Sequence, residues 1–206
     1  MSPSTPPALT PPASTSSADA LQPTTARAVA RWAVSFVGFP LGGLAAVLAT
    51  GPVDGAPAAL AGGLLTGAVL GVAQGLALRL DRRSLLRWVT ATAAGLAVGL
   101  TAGASAVGFG TSLGDLAVQG AVSGLAVGAA QSSVLFRPVR PLALVWPVWL
   151  AAVWALGWVV TTSVGVQVED QFTVFGAAGA VTVTLLTAVL PVRLARSANL
   201  FAEKSI

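Results

Sequence analysis

The chain has 206 residues and a formal net charge of +4, and 55% of its residues are hydrophobic while 9% are charged. About a quarter of the residues in a soluble domain are charged, so this composition predicts an integral membrane protein. The chain contains no His, Cys or Tyr, and its single lysine is Lys204. These absences exclude disulfides, thiolate chemistry, histidine general bases and imidazole-ligated or thiolate-ligated metals. We therefore expect neither a cofactor nor a metal site.

The first segment, residues 1–26, consists almost entirely of Ser, Thr, Pro and Ala and includes six prolines. Its few apolar residues do not recur with a helical or strand period, so the segment cannot bury enough surface to offset the entropy of folding. The composition predicts a disordered tail over this segment.

Six apolar stretches follow the tail, and each is close to the about 20 residues needed to cross about 30 Å of hydrocarbon. They cover residues 28–50, 56–79, 85–105, 115–136, 142–164 and 172–190. The pattern predicts an all-α integral membrane domain over residues 27–191 with six transmembrane helices. A short tail, residues 192–206, follows it.

The charged residues lie between the apolar stretches or near their ends. All eleven basic residues, with Asp19, Asp81 and Glu203, fall on one side of the predicted membrane, where the net charge is +8. The four remaining acidic residues give −4 on the other side. The positive-inside rule then predicts that both termini are cytoplasmic. Because the arginines form short clusters beside the spans and not one patch, no nucleic-acid partner is expected.

An internal repeat at a spacing of 57 residues relates the second span to the fourth. The pattern G-x-x-x-G-x-x-x-G-x-x-Q-x-x-x-L occurs in both spans, and the same spacing carries two glycines of the first span onto two of the third. The repeat predicts three helical hairpins, the third eroded because its glutamine position is apolar. Copies with an even number of spans insert in the same orientation, so we expect a pseudo-threefold bundle with the even-numbered helices inside.

The repeated glycines lie on one face of each helix, because steps of four residues amount to about one turn. In hydrocarbon, small residues favour helix association by letting backbones approach closely. Packing is the expected role, and the alternative is that the glycines widen a pore. The predicted packing residues are Gly63, Gly67, Gly71, Gly120, Gly124 and Gly128.

Gln74 and Gln131 occupy the glutamine position of the two repeats and are strongly polar side chains inside predicted spans. An unpaired amide in this environment is costly. One interpretation is that the glutamines hydrogen-bond to each other or to a neighbouring backbone. The other is that they form the polar ring of a narrow pore or substrate site.

Four tryptophans lie at the predicted cytoplasmic ends of the odd-numbered spans. Indole rings are enriched in the headgroup region, where one edge is apolar and the other is wet. The sequence therefore predicts interfacial anchors at Trp32, Trp88, Trp146 and Trp149.

The repeated G-x-x-x-G-x-x-Q-x-x-x-L unit, joined to a Trp-bearing helix with central glycines, resembles a loose group of uncharacterised bacterial membrane proteins. These proteins are built from duplicated Gly-rich hairpins. The resemblance covers about residues 30–165. It implies placement in the bacterial inner membrane and implies no activity.

The charged residues inside the predicted spans, Arg31, Arg79, Arg87 and Asp115, all lie within four residues of a span end. The middle of the spans therefore offers no base to activate a serine or threonine and no carboxylate for a proton relay. The leading hypothesis is a non-enzymatic membrane protein that acts as a scaffold or accessory subunit. The alternative is a passive channel or uniporter for a small neutral solute with a glutamine-lined constriction. The expected partners are the lipid bilayer and either a membrane protein or further copies of this chain.

Overall fold

The computed structural model describes residues 17–137, 139–166 and 172–203, and within these ranges all regular secondary structure is helical. A short 3-10 helix, Ser35–Val37, separates the first two α-helices. The α-helices are α1 (Ser17–Val34), α2 (Gly38–Thr50), α3 (Ala56–Ala77), α4 (Arg82–Ala106), α5 (Leu113–Leu135), α6 (Arg140–Ser163), α7 (Ala177–Leu186) and α8 (Val189–Glu203).

Six helical segments in the described ranges are long and apolar enough to cross a membrane. They are Thr25–Thr50, Ala56–Ala77, Arg82–Ala106, Leu113–Leu135, Arg140–Ser163 and Ala177–Ser197, here called spans 1 to 6. The prediction of an all-helical, multi-pass membrane protein with six spans is confirmed. The first five spans lie within a few residues of their predicted bounds.

Span 1 is interrupted by the 3-10 helix, and Pro40 explains the interruption. Proline has no backbone N–H, so the carbonyl of Phe36 lacks the donor that a continuous α-helix would supply. The interruption therefore comes from the sequence of span 1 itself.

The first helix begins earlier than expected. Helix α1 starts at Ser17, so the last ten residues of the segment 1–26, which composition predicts to be disordered, are helical, whereas residues 1–16 lie outside the described residues. Helix α1 packs on α8, and its Ala28 is buried. Tertiary packing supplies most of the stability of a helix, and composition does not reveal it.

The sixth span is shifted relative to its predicted range of 172–190. Residues 172–176 are not helical, and within them Thr173, Val174 and Phe175 are buried. The helix then runs from Ala177 to Ser197 with a break between α7 and α8. Pro191 causes this break because it cannot donate to the carbonyl of Thr187, and the N–H of Leu190 bonds to that carbonyl instead, at 3.0 Å.

Each span packs on the next one along the chain, and span 6 packs back on span 1 through contacts of α1 and α2 with α7 and of α1 with α8. An aromatic cluster joins spans 1 and 5 to the segment that precedes span 6. In this cluster the ring centroids of Phe39 and Phe175 are 5.1 Å apart, and those of Trp154 and Phe175 are 5.6 Å apart. The six spans therefore form a closed ring with a filled interior.

The even-numbered spans were expected to lie inside the bundle, but they are not more buried than the odd-numbered spans. Span 3 has the largest buried share, 50%, and span 1 the smallest, 28%, while spans 2, 4, 5 and 6 all have 39%. Both kinds of helix contribute to the interior because each has a neighbour on either side in the ring.

Candidate functional site

Two glutamines, two tryptophans and one threonine form a hydrogen-bonded cluster between spans 2 to 5. The Gln131 Nε2 donates to Thr92 Oγ1 at 2.9 Å and to Gln74 Oε1 at 3.4 Å. The indole of Trp146 donates to Gln131 Oε1 at 2.9 Å, and that of Trp88 donates to Gln74 Oε1 at 3.3 Å. We call these five residues the glutamine network.

The glutamine network is buried. Gln131 is 2% exposed and Gln74 is 9% exposed, and Thr92 is fully buried. The hydroxyl of Thr92 donates to the carbonyl of Trp88 at 2.8 Å, so it accepts from Gln131 and donates at the same time. A buried amide with its hydrogen bonds made avoids the penalty of an unpaired polar group, so the network joins four helices at low cost.

Three of the four tryptophans predicted as interfacial anchors are buried inside the bundle. Trp32, Trp88 and Trp146 are at most 2% exposed, whereas Trp149 is 40% exposed. The indole N–H groups of all three buried rings bond to groups of another span. The expectation of headgroup anchors fails for these three residues because their polar edges find partners in the interior.

Trp32 finds its partners in span 6. Its Nε1 donates to the carbonyl of Thr184 at 2.9 Å and to Thr187 Oγ1 at 3.2 Å. Thr187 was not predicted as a partner of Trp32, because the position equivalent to the glutamines is Ala188, one residue later. A signal was present in the spacing of Trp32, Trp88 and Trp146, which is 56 and then 58 residues. Each spacing differs by one residue from the repeat spacing of 57, so equivalent positions in the third hairpin can also be displaced by one residue.

The glycines of span 2 lie against the backbone of span 3. A Cβ atom added to Gly63 would lie 2.7 Å from the Cα of Ala97, and one on Gly67 would lie 2.6 Å from the Cα of Ala93. One on Gly71 would lie 2.9 Å from Val89. Contacts this short exclude any side chain larger than hydrogen.

The equivalent glycines of span 4 lie against the backbone of span 5. A Cβ atom on Gly120 would lie 2.9 Å from the carbonyl oxygen of Trp154, and one on Gly128 would lie 2.6 Å from the Cα of Pro147. Gly124 meets the carbonyl oxygen of Leu150. All six glycines therefore stand at close helix crossings.

Glycines of spans 1 and 3 make equivalent contacts with the span that follows each of them. A Cβ atom on Gly42 would lie 3.1 Å from the Cα of Thr66, and one on Gly99 would lie 2.8 Å from the Cα of Ser123. Both members of the first pair lie 57 residues before their counterparts in the second.

Span 4 carries a further buried amide that the sequence analysis missed. Gln119 and Ser123 are each 1% exposed and lie one helical turn apart. Within the described ranges, Gln119 Oε1 and Ser123 Oγ have no hydrogen-bond partner. The available signal was the position of Gln119, inside the predicted fourth span and twelve residues before Gln131.

The segment before span 6 also reaches the interior. The hydroxyl of Thr66 in span 2 bonds to that of Thr173 at 2.8 Å and to the carbonyl of Gly42 at 3.1 Å. The backbone N–H of Gly176 donates to Thr161 Oγ1 in span 5 at 3.1 Å. The segment 172–176 therefore makes hydrogen bonds to both span 2 and span 5.

In the part of the chain that the structure describes, the ionisable side chains lie in the first two or last two turns of the spans or beyond their ends. The polar side chains of the middle of the bundle are therefore amides, hydroxyls and indoles. Comparison with known protein families, with curated proteins and with solved structures found no match to this chain.

Proposed function

We propose that the chain is a non-enzymatic multi-pass membrane protein that acts as a scaffold or accessory subunit. The observation that carries this proposal is the glutamine network, in which five polar side chains of the interior bond to one another across four helices. Buried amides used in this way hold helices together. A solid bundle of this kind acts through its surfaces, and its partners are the lipid bilayer and either another membrane protein or further copies of the chain.

An apolar layer beside the network supports the same proposal. Leu70, Leu96 and Val127 lie four residues from Gln74, Thr92 and Gln131 respectively, and each is at most 1% exposed. One helical turn therefore separates the polar layer from a layer of tightly packed aliphatic side chains. Such a layer opposes the passage of water along the bundle.

The proposed architecture is three hairpins about a pseudo-threefold axis along the membrane normal. Support comes from the contacts of Gly42 and Gly99, which recur at a spacing of 57 residues, and from the three buried indoles. Each indole donates to a polar side chain of an even-numbered span, with Thr187 in the role that the glutamines have elsewhere. The third hairpin packs through Gly157 and Gly179.

The proposed location is the bacterial inner membrane, with both termini in the cytoplasm. The excess of arginine on one side of the spans and the resemblance to Gly-rich bacterial proteins support it. A reporter active only in the cytoplasm, fused after residue 206, should be active, and the same reporter inserted at Asp54 should be inactive. The reverse result would overturn the topology.

Cysteine labelling tests the dry interior, because the chain has no native cysteine. Single cysteines at positions 74 and 131 should not react with a membrane-impermeant thiol reagent from either side, and should react fully after denaturation. Cysteines at the exposed positions Asp54 and Arg82 are the controls, and each should react from one side only. Rapid reaction at 74 or 131 in the folded protein would contradict the scaffold proposal.

The second candidate function is a passive channel or uniporter for a small neutral solute. The observation that favours it is the buried Gln119 Oε1 and Ser123 Oγ, on the span that carries Gln131, because a passing solute would hydrogen-bond to such groups. Urea and glycerol flux into proteoliposomes separates the two functions. Flux above that of protein-free vesicles that falls when Gln74 and Gln131 are changed to Leu would favour the channel, and flux equal to that of protein-free vesicles would favour the scaffold.

A further inference from the structure

Two grooves on the outer surface of the bundle combine exposed apolar side chains with a pair of arginines. The first, of about 810 Å³, lies between α6 and α8, and Arg140 and Arg193 line it. The second, of about 920 Å³, lies between α4 and α5, and Arg87 and Arg137 line it. In both grooves one arginine stands in the first turns of an odd-numbered span and the other lies on the even-numbered span or just beyond its end.

The apolar wall of the first groove follows one face of α6. Leu144, Val145 and Val148 line it and are all more than half exposed. From Arg140 to Ala152 the groove follows twelve residue steps of helix, or roughly 18 Å at 1.5 Å per residue. Half of a hydrocarbon core of about 30 Å is about 15 Å, so the wall is about as long as one lipid leaflet.

The charged end of the first groove is well suited to a phosphate. Arg140 and Arg193 come from different helices and both side chains are exposed. The Cζ of Arg140 lies 5.2 Å from the ring centroid of Phe136, a cation–π contact that orients the guanidinium. None of the described residues that line the groove is acidic. Two guanidinium groups without a competing carboxylate favour a phosphodiester, which accepts paired hydrogen bonds from arginine.

We propose that the groove between α6 and α8 binds an anionic phospholipid. Arg140 and Arg193 hold the phosphate, and one acyl chain lies along Leu144, Val145 and Val148. The order of groups, charge at the end of the span and apolar surface along it, is the order of groups in a lipid. This proposal rests on the six membrane-length spans and is independent of the scaffold function.

The second groove supports the assignment because it has the same order of groups. Arg87 and Arg137 stand near its charged end, with the hydroxyls of Ser84 and Ser133 also in its lining, and Ala91, Ala94 and Ala130 belong to its apolar part. A construction that occurs twice, on different helices, argues against a chance juxtaposition of arginines with exposed apolar surface.

The test uses Trp149, which lines the first groove and is 40% exposed, whereas the other five tryptophans are at most 3% exposed. Brominated lipids quench indole fluorescence on contact, so Trp149 reports lipid at this groove, and the Trp149→Phe variant supplies the background. In proteoliposomes at low salt, brominated phosphatidylglycerol should quench Trp149 at about 30-fold lower mole fraction than brominated phosphatidylcholine. Each arginine near an anionic lipid contributes about a factor of five.

The Arg140→Gln/Arg193→Gln variant should lose the preference for phosphatidylglycerol. The Arg27→Gln/Arg83→Gln variant loses the same charge at exposed positions outside both grooves and should keep the preference. The Arg140→Lys/Arg193→Lys variant retains the charge, should keep most of the preference, and shows by circular dichroism whether replacement at these positions preserves the fold.

Four results would overturn the proposal, the last of them in the control variant. The first is equal quenching of the unmodified protein by the two lipids, and the second is an unchanged preference in the Arg140→Gln/Arg193→Gln variant. The third is displacement of the lipid by millimolar inorganic phosphate, but not by chloride at equal ionic strength, because it would assign the site to free phosphate. Equal loss in the Arg27→Gln/Arg83→Gln control would also contradict a local site, since it would trace the preference to overall charge.

Discussion

Gln131 donates a hydrogen bond of 3.4 Å from its Nε2 to the Oε1 of Gln74, the residue 57 positions earlier in the chain. The two residues occupy the same position in the two copies of the G-x-x-x-G-x-x-Q-x-x-x-L pattern. Contact between them requires spans 2 and 4 to face each other at one depth, with span 3 alongside, where Thr92 receives the other Gln131 hydrogen bond. One repeated residue thus fixes the relative depth of three helices.

Replacement of Gln131 by Leu should destabilise the protein by about 1–3 kcal/mol. The change leaves the N–H of Trp146 without its acceptor in a buried site, and an unpaired buried donor costs this much. Thermal unfolding in detergent, followed by circular dichroism, measures the loss. Ser133→Ala is the matched control, because the exposed Ser133 hydroxyl bonds only within its own helix.

A double-mutant cycle separates the hydrogen bond of Trp146 from general packing. If Trp146 and Gln131 act as a pair, Gln131→Leu combined with Trp146→Phe should cost less than the sum of the two single changes. Strict additivity would show that the hydrogen bond between Trp146 and Gln131 contributes nothing to stability. A Gln131→Leu loss no greater than that of Ser133→Ala would show the same of all the hydrogen bonds that Gln131 makes.

Replacement of Gly67 by Ala should destabilise the fold by about 1–3 kcal/mol, the usual cost of overpacking. The new Cβ would lie 2.6 Å from the Cα of Ala93 and 2.8 Å from the carbonyl oxygen of Thr92, and backbone atoms cannot move aside as a flexible side chain can. Gly114→Ala is the control, because its Cβ would meet only Ser112 Oγ, at 3.8 Å. Unfolding in an SDS titration compares the two, and equal midpoints would contradict close packing at Gly67.

The sequence predicted the elements that depend on local composition and missed those that depend on tertiary partners. Apolar length sufficed for six spans, and the repeat marked Gln74 and Gln131. The burial of Trp32, Trp88 and Trp146 was missed because an indole suits a headgroup region and a paired interior site equally well, and only the location of the acceptor decides. The sixth span was misplaced because Val174 and Phe175 are apolar, as a helix in a membrane would be, but lie buried in a segment that is not helical.

Replacement of Thr187 by Val should destabilise the protein by about 0.5–1.5 kcal/mol. Valine has the same shape but cannot accept the hydrogen bond from Trp32, which then keeps only the carbonyl of Thr184 as an acceptor. Thr182→Val is the control, because the Thr182 hydroxyl bonds only to Ala178 in its own helix. Thermal unfolding should separate the two variants. A larger loss of stability for Thr182→Val than for Thr187→Val would contradict the proposal that Thr187 accepts the indole hydrogen bond as the glutamines do in the other hairpins.

The stability of the chain should depend on pH through Asp81, the N-cap of α4. Its carboxylate accepts from the backbone N–H groups of Arg83 at 2.9 Å and Ser84 at 3.2 Å. Hydrogen bonds from the Ser84 side chain, then from the Ser84 backbone and the Arg83 backbone, lower the pKa of Asp81 from 3.8. Because the pKa is lower in the folded state, the stabilisation is complete above pH 3.8 and is lost as the pH falls through the folded value.

The Asp81→Asn variant isolates this effect, since asparagine also caps a helix but does not titrate in this range. The melting temperature of the unmodified protein should exceed that of Asp81→Asn near neutral pH, because a negative charge at a helix N-terminus is favourable. This difference should shrink as the pH falls below 3.8. The control is Asp54→Asn in the loop between spans 1 and 2, where the side chain is exposed. A difference between the unmodified protein and Asp81→Asn that stays constant from neutral to acid pH would contradict the role of the carboxylate at this cap.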